Sequence, residues 1–141
     1  MPSEDIKMME SRTLTVSIDR DWRKAYEEIW RPQDFSKWAS GLSQSDLEKD
    51  GDRWWKTSGP EGPIRIQFSD HNAFGVMDHH VDLGDGRTVY VPMRVVANVD
   101  GAEVLFTLFR EKDVSDERFA ADVAWVERDL MSLKALAEAR L

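Results

Sequence analysis

The run Asp78-His79-His80 holds two of the three histidines in the chain and has the clearest potential for chemistry. Side chains alternate across a β-strand, so a strand through this run turns one imidazole inward and the other outward. An inward histidine beside a carboxylate is able to transfer protons near neutral pH, which makes Asp78, His79 and His80 the catalytic candidates. A hydrogen-bonded structural histidine or a surface histidine explains the same run and is the commoner case, so the catalytic residues stay unassigned.

Other kinds of chemistry have less support. Asp78, His80 and Asp82 occupy every second position of a predicted strand, so their side chains share one face. A metal site needs three ligands that converge, and this spacing on a strand is only weak evidence for one, so we expect no metal. The chain has no cysteine, which excludes disulfides, thiolate ligands and cysteine nucleophiles. The loop 59–63 (Gly-Pro-Glu-Gly-Pro) carries an acid and lacks the glycine spacing of phosphate-binding loops, so no cofactor is expected.

Length and charge narrow the classes of partner. The 141 residues fit one domain, for which we expect residues 11–141, with residues 1–10 as a flexible N-terminal arm. The net charge of −8 is spread along the chain and leaves no positive surface for nucleic acid or an anionic membrane. No segment resembles a signal peptide or approaches the roughly 18 apolar residues of a membrane span, so we expect a cytoplasmic protein.

The elements that position these residues begin with a strand over Thr13–Ile18, where apolar and polar residues alternate. Asp19 is suited to cap a helix that follows. The apolar residues of this helix recur every three or four positions, at Trp22, Tyr26, Ile29 and Trp30. Pro32 ends the helix and opens a second short one over residues 33–39.

Residues 42–110 consist of short alternating runs separated by turn sequences. The pairs Asp50-Gly51, Asp85-Gly86 and Asp100-Gly101 predict tight hairpins, because a type I′ turn needs positive φ at two successive residues. The predicted strands are Ser43–Lys49, Arg53–Ser58, Ile64–Ser69, Phe74–Leu83, Thr88–Asn98 and Glu103–Arg110.

A C-terminal helix of about 24 residues follows, with Ser115 as its cap. Six apolar residues form one narrow stripe along it: Phe119, Val123, Val126, Leu130, Leu133 and Ala137. A helix about 36 Å long must lie across the sheet, which is the only broad surface in so small a chain. The predicted fold class is α+β, with a curved antiparallel sheet of about seven strands, in the order β-αα-ββββββ-α, wrapped on the long helix.

This order resembles the helix-grip fold of the START-like superfamily (SRPBCC), which includes birch-pollen-allergen-like proteins. The local match is to the small bacterial polyketide cyclase/dehydrase-type branch, in the run Asp19-Arg20-Asp21-Trp22 and in the segment 31–38 (Arg-Pro-Gln-Asp-Phe-Ser-Lys-Trp). The resemblance covers roughly residues 11–140 and implies a space between the helix and the concave face of the sheet. Because the superfamily includes transporters, cyclases, hydrolases and chaperone regulators, it implies a fold and leaves the chemistry open.

The hairpin turns predict which side chains face this space. A two-residue turn at Asp100-Gly101 places Ala97 opposite Val104, Val95 opposite Phe106 and Met93 opposite Leu108, all on the concave face. Arg94 then lies on the outer face, beside a neighbouring acid.

The turn at Asp85-Gly86 leaves two registers open. A two-residue turn directs Asp78, His80 and Asp82 inward. A loop one residue longer directs Met77, His79, Val81 and Leu83 inward, buries more apolar area and is slightly favoured.

The leading functional hypothesis is the binding of a small apolar or aromatic molecule between the sheet and the C-terminal helix. The expected lining residues are Phe35, Trp38, Met93, Phe106, Val123 and Val126. A second hypothesis is a polyketide cyclase/dehydrase-like enzyme that uses an Asp/His pair. A third is an interaction module related to activators of a chaperone ATPase.

Three exposed aromatic or apolar side chains are consistent with a homodimer. Trp125 lies off the apolar stripe of the C-terminal helix, and Leu105 and Phe109 are predicted on the outer face of the sheet.

Overall fold

The computed structural model describes residues 7–139, so most of the predicted N-terminal arm (1–6) lies outside the described residues. Its eight strands and three α-helices follow the predicted order. The strands are β1 (Ser11–Ile18), β2 (Glu48–Lys49), β3 (Trp54–Gly59), β4 (Gly62–Phe68), β5 (His79–Asp82), β6 (Thr88–Val91), β7 (Met93–Asn98) and β8 (Gly101–Phe109). The helices are α1 (Trp22–Ile29), α2 (Phe35–Trp38), which a 3₁₀ turn over Pro32–Asp34 precedes, and α3 (Asp116–Glu138).

All strand pairs are antiparallel, and they form a three-stranded sheet (β1-β8-β7) and a five-stranded sheet (β2-β3-β4-β5-β6). The predicted strand Thr88–Asn98 is divided at Pro92, because proline has no N–H to donate to a ladder. The predicted strand Phe74–Leu83 is also shorter. Within this segment only β5 (His79–Asp82) forms a continuous strand, and Val76 makes an isolated β-bridge to Arg94. The α+β class is confirmed, with one strand more than predicted.

The helices begin at capping residues. Asp21, rather than the predicted Asp19, caps α1, and its side chain accepts hydrogen bonds from the N–H groups of Arg23 and Lys24. Ser115 caps α3 as predicted, with Oγ accepting from Arg118 N–H at 3.1 Å. The predicted stripe of α3 is largely buried against the sheet, with Leu133 and Ala137 fully enclosed.

The register of the β7–β8 hairpin differs from the prediction by two residues. Val95 pairs with Val104 and Met93 pairs with Phe106, because the turn is Val99-Asp100 and Gly101 belongs to β8. A displacement of two leaves every side chain on its predicted face, since strand side chains repeat with a period of two.

The β5–β6 hairpin takes the longer of the two predicted loops. His79 pairs with Val91, and Val81 pairs with Val89, while the loop closes through a hydrogen bond from Leu83 N–H to the Arg87 carbonyl at 3.1 Å. His79 and Val81 are consequently buried, and His80 is exposed.

Candidate ligand-binding cavity

A cavity of about 400 Å³ separates α3 from the sheet. Its walls come from α2 and the loop that follows, from β5, β6 and β8, and from α3. The lining residues are Phe35, Trp38, Ala39, Gly41, Leu42, Gln44, Pro60, His79, Val81, Leu83, Val89, Val91, Phe106, Leu108, Arg118, Ala121, Asp122, Trp125, Val126 and Asp129. A space of this size, mostly apolar and with few polar groups, is typical of small-molecule sites.

The sheet wall is apolar because every second residue of its strands faces the cavity. Val81 and Leu83 extend the row that begins at His79, and Val89 and Val91 come from the paired strand β6. β-Branched residues predominate here, and they suit a pleated surface with one buried face.

The opposite wall depends on a close approach between α3 and the loop after α2. A Cβ atom on Gly41 would lie 1.9 Å from Trp125 Nε1, so only glycine leaves room for this indole. Trp125 is 43% exposed, and the Arg128 guanidinium lies over its ring at 4.6 Å from the centroid. Trp125 therefore borders the mouth of the cavity.

His79 is the buried polar group of the sheet wall, with only 2% of its surface exposed. Its Nδ1 lies 3.0 Å from the Met77 carbonyl, which can only accept, so Nδ1 carries the proton. Burial lowers the pKa of His79 to about 4 against the smaller opposing effect of that hydrogen bond. At neutral pH the imidazole is uncharged, and its Nε2 is an acceptor that no described residue engages.

Asp129 is the buried polar group of the helix wall, and it is 8% exposed. Ser40 Oγ donates to its Oδ1 at 3.2 Å. Desolvation raises the pKa of Asp129 to about 6, against the smaller opposing effects of Ser40, the Gly41 backbone N–H and the charge of Arg128. Sequence reasoning missed Asp129. The available signal was its position on the same flank of α3 as Trp125, which indicates a second packed face on that helix.

The remaining polar residues lie nearer the mouth. Arg118 Nε and Asp122 Oδ1 form an ion pair at 3.1 Å along the first turns of α3. Gln44 is exposed in the loop that faces them. Within residues 7–139, no three His, Cys, Asp or Glu side chains are grouped so as to hold a metal ion.

Four of the six predicted lining residues border the cavity: Phe35, Trp38, Phe106 and Val126. Met93 and Val123 do not border it and are buried in the core instead. Met93 lies on β7, which packs beneath α1 rather than facing the cavity. Val123 lies about 60° around α3 from Val126, on the side away from Trp125.

Two of the three catalytic candidates lie away from the cavity. Asp78 binds the Arg94 side chain, accepts from Met93 N–H at 2.8 Å and accepts from the Tyr90 hydroxyl at 3.2 Å. His80 stacks on Tyr90, with ring centroids 4.8 Å apart. These contacts give Asp78 and His80 a structural role on the outer face of the sheet. Arg94 was predicted to pair with an acid on this face, and Asp78 is that acid.

A second, very small void of about 10 Å³ lies behind Phe35 and His79. Trp30 and Trp38 are among the residues that line it, and their indole N–H groups have no hydrogen-bond partner among the described residues. A void of this volume is comparable with one water molecule and too small for an organic ligand. The larger cavity is therefore the candidate site.

A long helix gripped by antiparallel strands, with an apolar cavity between them, defines a helix-grip protein. Solved structures share this fold. An uncharacterised protein of Bacillus thuringiensis superposes with a TM-score of 0.70 at 15% identity, over 89% of this chain and 96% of that one. The Aha1 dimer from Colwellia psychrerythraea gives 0.69 at 15% identity, over 92% and 97%. The allergen Ara h 8.0201 gives 0.67 at 13% identity, over 92% and 97%.

The chain thus has the helix-grip fold, and the fold implied by the resemblance at residues 19–22 and 31–38 is confirmed. The sequence matches no family model, and no curated protein is significantly similar to it. The cyclase/dehydrase-type branch therefore stays a prediction. None of the helices within residues 7–139 is long and apolar enough to cross a membrane.

Proposed function

We propose that this protein binds a small, mainly apolar molecule in the cavity between α3 and the sheet. The observation that carries the proposal is a largely apolar space of about 400 Å³ between α3 and the sheet. An unfilled space of this size costs stability, and an apolar ligand would offset that cost by occupying it. His79 and Asp129 would orient the ligand from opposite walls.

Filling the cavity tests this proposal. Ala120 and Ala121 are both exposed on α3, but only Ala121 borders the cavity. We expect Ala121→Trp to weaken binding of the neutral fluorophore N-phenyl-1-naphthylamine at least about tenfold, because loss of buried contact area of this kind costs about 1.4 kcal/mol or more. Fluorescence titration measures the dissociation constants.

Ala120→Trp is the matched control, because it makes the same substitution in the same helix and changes helix propensity equally. It should bind the fluorophore as the wild type does. Equal weakening in both variants, or no saturable binding by the wild type, would contradict the proposal.

A second candidate function is proton transfer to or from the bound molecule. The favouring observation is that His79 and Asp129 both border the cavity and have pKa values moved in opposite directions, to about 4 and about 6. Two titratable groups tuned in this way are a frequent feature of acid–base sites. At pH 7 both groups are deprotonated, so each would begin as a proton acceptor, and Asp129 is the stronger base because its pKa is higher.

The test of this candidate is the pair of variants His79→Gln and Asp129→Asn, assayed with cyclisable polyketide-type substrates by mass spectrometry. A catalytic role predicts loss of turnover of about 100-fold or more, with substrate affinity largely kept. Turnover that survives in both variants would exclude these two residues as the groups that transfer the proton.

The third hypothesis, an interaction module, has less support, because it expects a collapsed interior and the cavity is open. A homodimer stays a prediction. Trp125 is engaged by Gly41 and Arg128 at the cavity mouth, and Phe109 stacks on Tyr90 with centroids 6.4 Å apart. Both aromatic side chains are thus partly covered within one chain.

A further inference from the structure

Asp129 has no cationic partner within residues 7–139, although it is almost fully buried. Its described contacts are the Ser40 hydroxyl and the adjacent backbone, and no described lysine, arginine or histidine lies within ion-pair distance of it. Buried carboxylates in folded proteins are almost always paired or neutralised. An unpaired one that borders an open cavity implies that its counter-charge arrives with the occupant.

The other charges around the cavity do not supply this counter-charge. Arg118 is committed to Asp122, and that pair is neutral overall. Arg128, the neighbour of Asp129 on α3, lies over the Trp125 ring and forms no ion pair with Asp129. Its charge lowers the pKa of Asp129, but this effect is smaller than the opposing effect of desolvation. His79 on β5 is neutral and presents an acceptor. The described lining of the cavity therefore has one net negative charge at neutral pH, together with one free acceptor.

We propose that the natural occupant is an organic cation, an apolar or aromatic body with a protonated amine that forms an ion pair with Asp129. This inference rests on the proposed function and specifies the class of ligand. A hydroxyl or N–H elsewhere on the ligand would donate to His79 Nε2. Carboxylates and phosphates are disfavoured, because the described lining has one unpaired carboxylate, Asp129, and its arginine, Arg118, is paired with Asp122. The acidic surface, with a net charge of −8, also attracts cations.

This assignment has a consequence for pH dependence. Protonation of Asp129, with its pKa of about 6, removes the partner of the ammonium group. The affinity for an amine should therefore decrease as the pH falls through 6, whereas the affinity for a neutral analogue should not. His79 stays neutral down to about pH 4, so of the two buried polar groups of the cavity only Asp129 changes its charge between pH 7.5 and pH 5.

Three probes with one aromatic skeleton test the proposal: 1-naphthylmethylamine, 1-naphthylmethanol and 1-naphthoate. Their dissociation constants are measured by titration calorimetry on the full chain at pH 7.5 and 5.0, at equal ionic strength. We expect the amine to bind at least about tenfold tighter than the alcohol at pH 7.5, and the carboxylate to bind weakest. The advantage of the amine should decrease about tenfold at pH 5.0, where Asp129 is about one-tenth ionised.

Asp129→Asn should bring the amine and the alcohol within about threefold of each other at both pH values. Glu127→Gln is the control, because it removes one negative charge from an exposed position of the same helix outside the cavity lining. It should keep the preference for the amine.

The outcomes separate this inference from the proposed function. If the alcohol binds as tightly as the amine, and Ala121→Trp weakens it, the cavity binds ligands and the cation assignment is overturned. If the amine keeps its advantage in Asp129→Asn, the assignment to Asp129 is overturned. If no probe binds, the proposed function and this inference are both overturned.

Discussion

Replacing Asp129 with asparagine is expected to stabilise the unliganded protein at pH 7.5 by about 3 kcal/mol. Burial raises the pKa of Asp129 from 3.8 to about 6, so its ionised form is disfavoured in the folded state. Because one pKa unit corresponds to about 1.4 kcal/mol, ionisation of Asp129 above pH 6 costs about 3 kcal/mol of folding free energy. Asparagine removes this cost and keeps an acceptor for the Ser40 hydroxyl.

The sign of the effect changes predictably with pH. The cost is fully present above pH 6, decreases as the pH falls and is absent below about 3.8, where Asp129 is protonated in both states. The difference in unfolding free energy between the variant and the wild type should therefore shrink from about 3 kcal/mol at pH 7.5 towards zero at pH 4. Urea unfolding of both proteins at a series of pH values measures this difference. The other titratable groups, including His79, contribute equally to both proteins, so their contributions cancel.

Glu127→Gln provides the control, since Glu127 is exposed on the same helix and its loss should change stability by no more than about 0.5 kcal/mol. A variant Asp129→Asn that is less stable than the wild type at pH 7.5 would show that the carboxylate is stabilising in the unliganded protein. A gain in stability with a loss of amine binding would indicate that this position is kept for the ligand at the expense of stability.

Replacing Gly75 with alanine is expected to cost about 3 kcal/mol or more. Gly75 has a φ of +70°, and a Cβ there would lie 2.2 Å from the Val95 carbonyl oxygen. The strain of a left-handed residue is about 1–2 kcal/mol, and this clash also opposes the Val95 N–H to Gly75 carbonyl bond at 2.8 Å. That bond and the one from Met77 N–H to the Met93 carbonyl at 2.9 Å hold the segment that leads into His79.

Gly86→Ala separates the two contributions. Gly86 has a similar φ of +88°, but a Cβ at this position would meet no other atom within 4 Å. The Gly86→Ala variant should lose only about 1 kcal/mol, which is the conformational cost alone. Denaturant unfolding of both variants measures the difference, and equal losses would show that the approach of Gly75 to β7 contributes nothing.

The fold was predictable from sequence to the extent that it depends on local patterns. Alternation marked the strands, and the three- and four-residue spacing from Phe119 to Ala137 marked α3. The Pro32 and Ser115 positions marked helix starts close to the observed ones. The β7–β8 register was two residues wrong without consequence for the cavity, because Val95 and Phe106 keep their faces after an even displacement.

The site was predictable only in part. The aromatic residues Phe35 and Trp38 lie in the segment that carries the family resemblance, and both of these predicted lining residues border the cavity. Met93 and Val123 were assigned to the cavity because apolar periodicity predicts that their side chains are buried. The same periodicity does not distinguish a side chain in the packed core from one in the wall of a cavity. Asp129 was overlooked because an acidic residue next to the apolar stripe of a helix is normally interpreted as part of the solvent-exposed face.

The sequence by itself determined the element order, the α+β class and the exclusion of cysteine chemistry, since these depend on composition and on short-range periodicity. The tertiary structure decided which of two adjacent histidines faces the cavity, because a single residue in the loop 83–87 reverses every side chain of β5. It also decided the chemistry of the helix wall. Asp129 becomes a buried, unpaired carboxylate only when the loop around Ser40 and Gly41 covers it, and that packing joins residues nearly 90 positions apart.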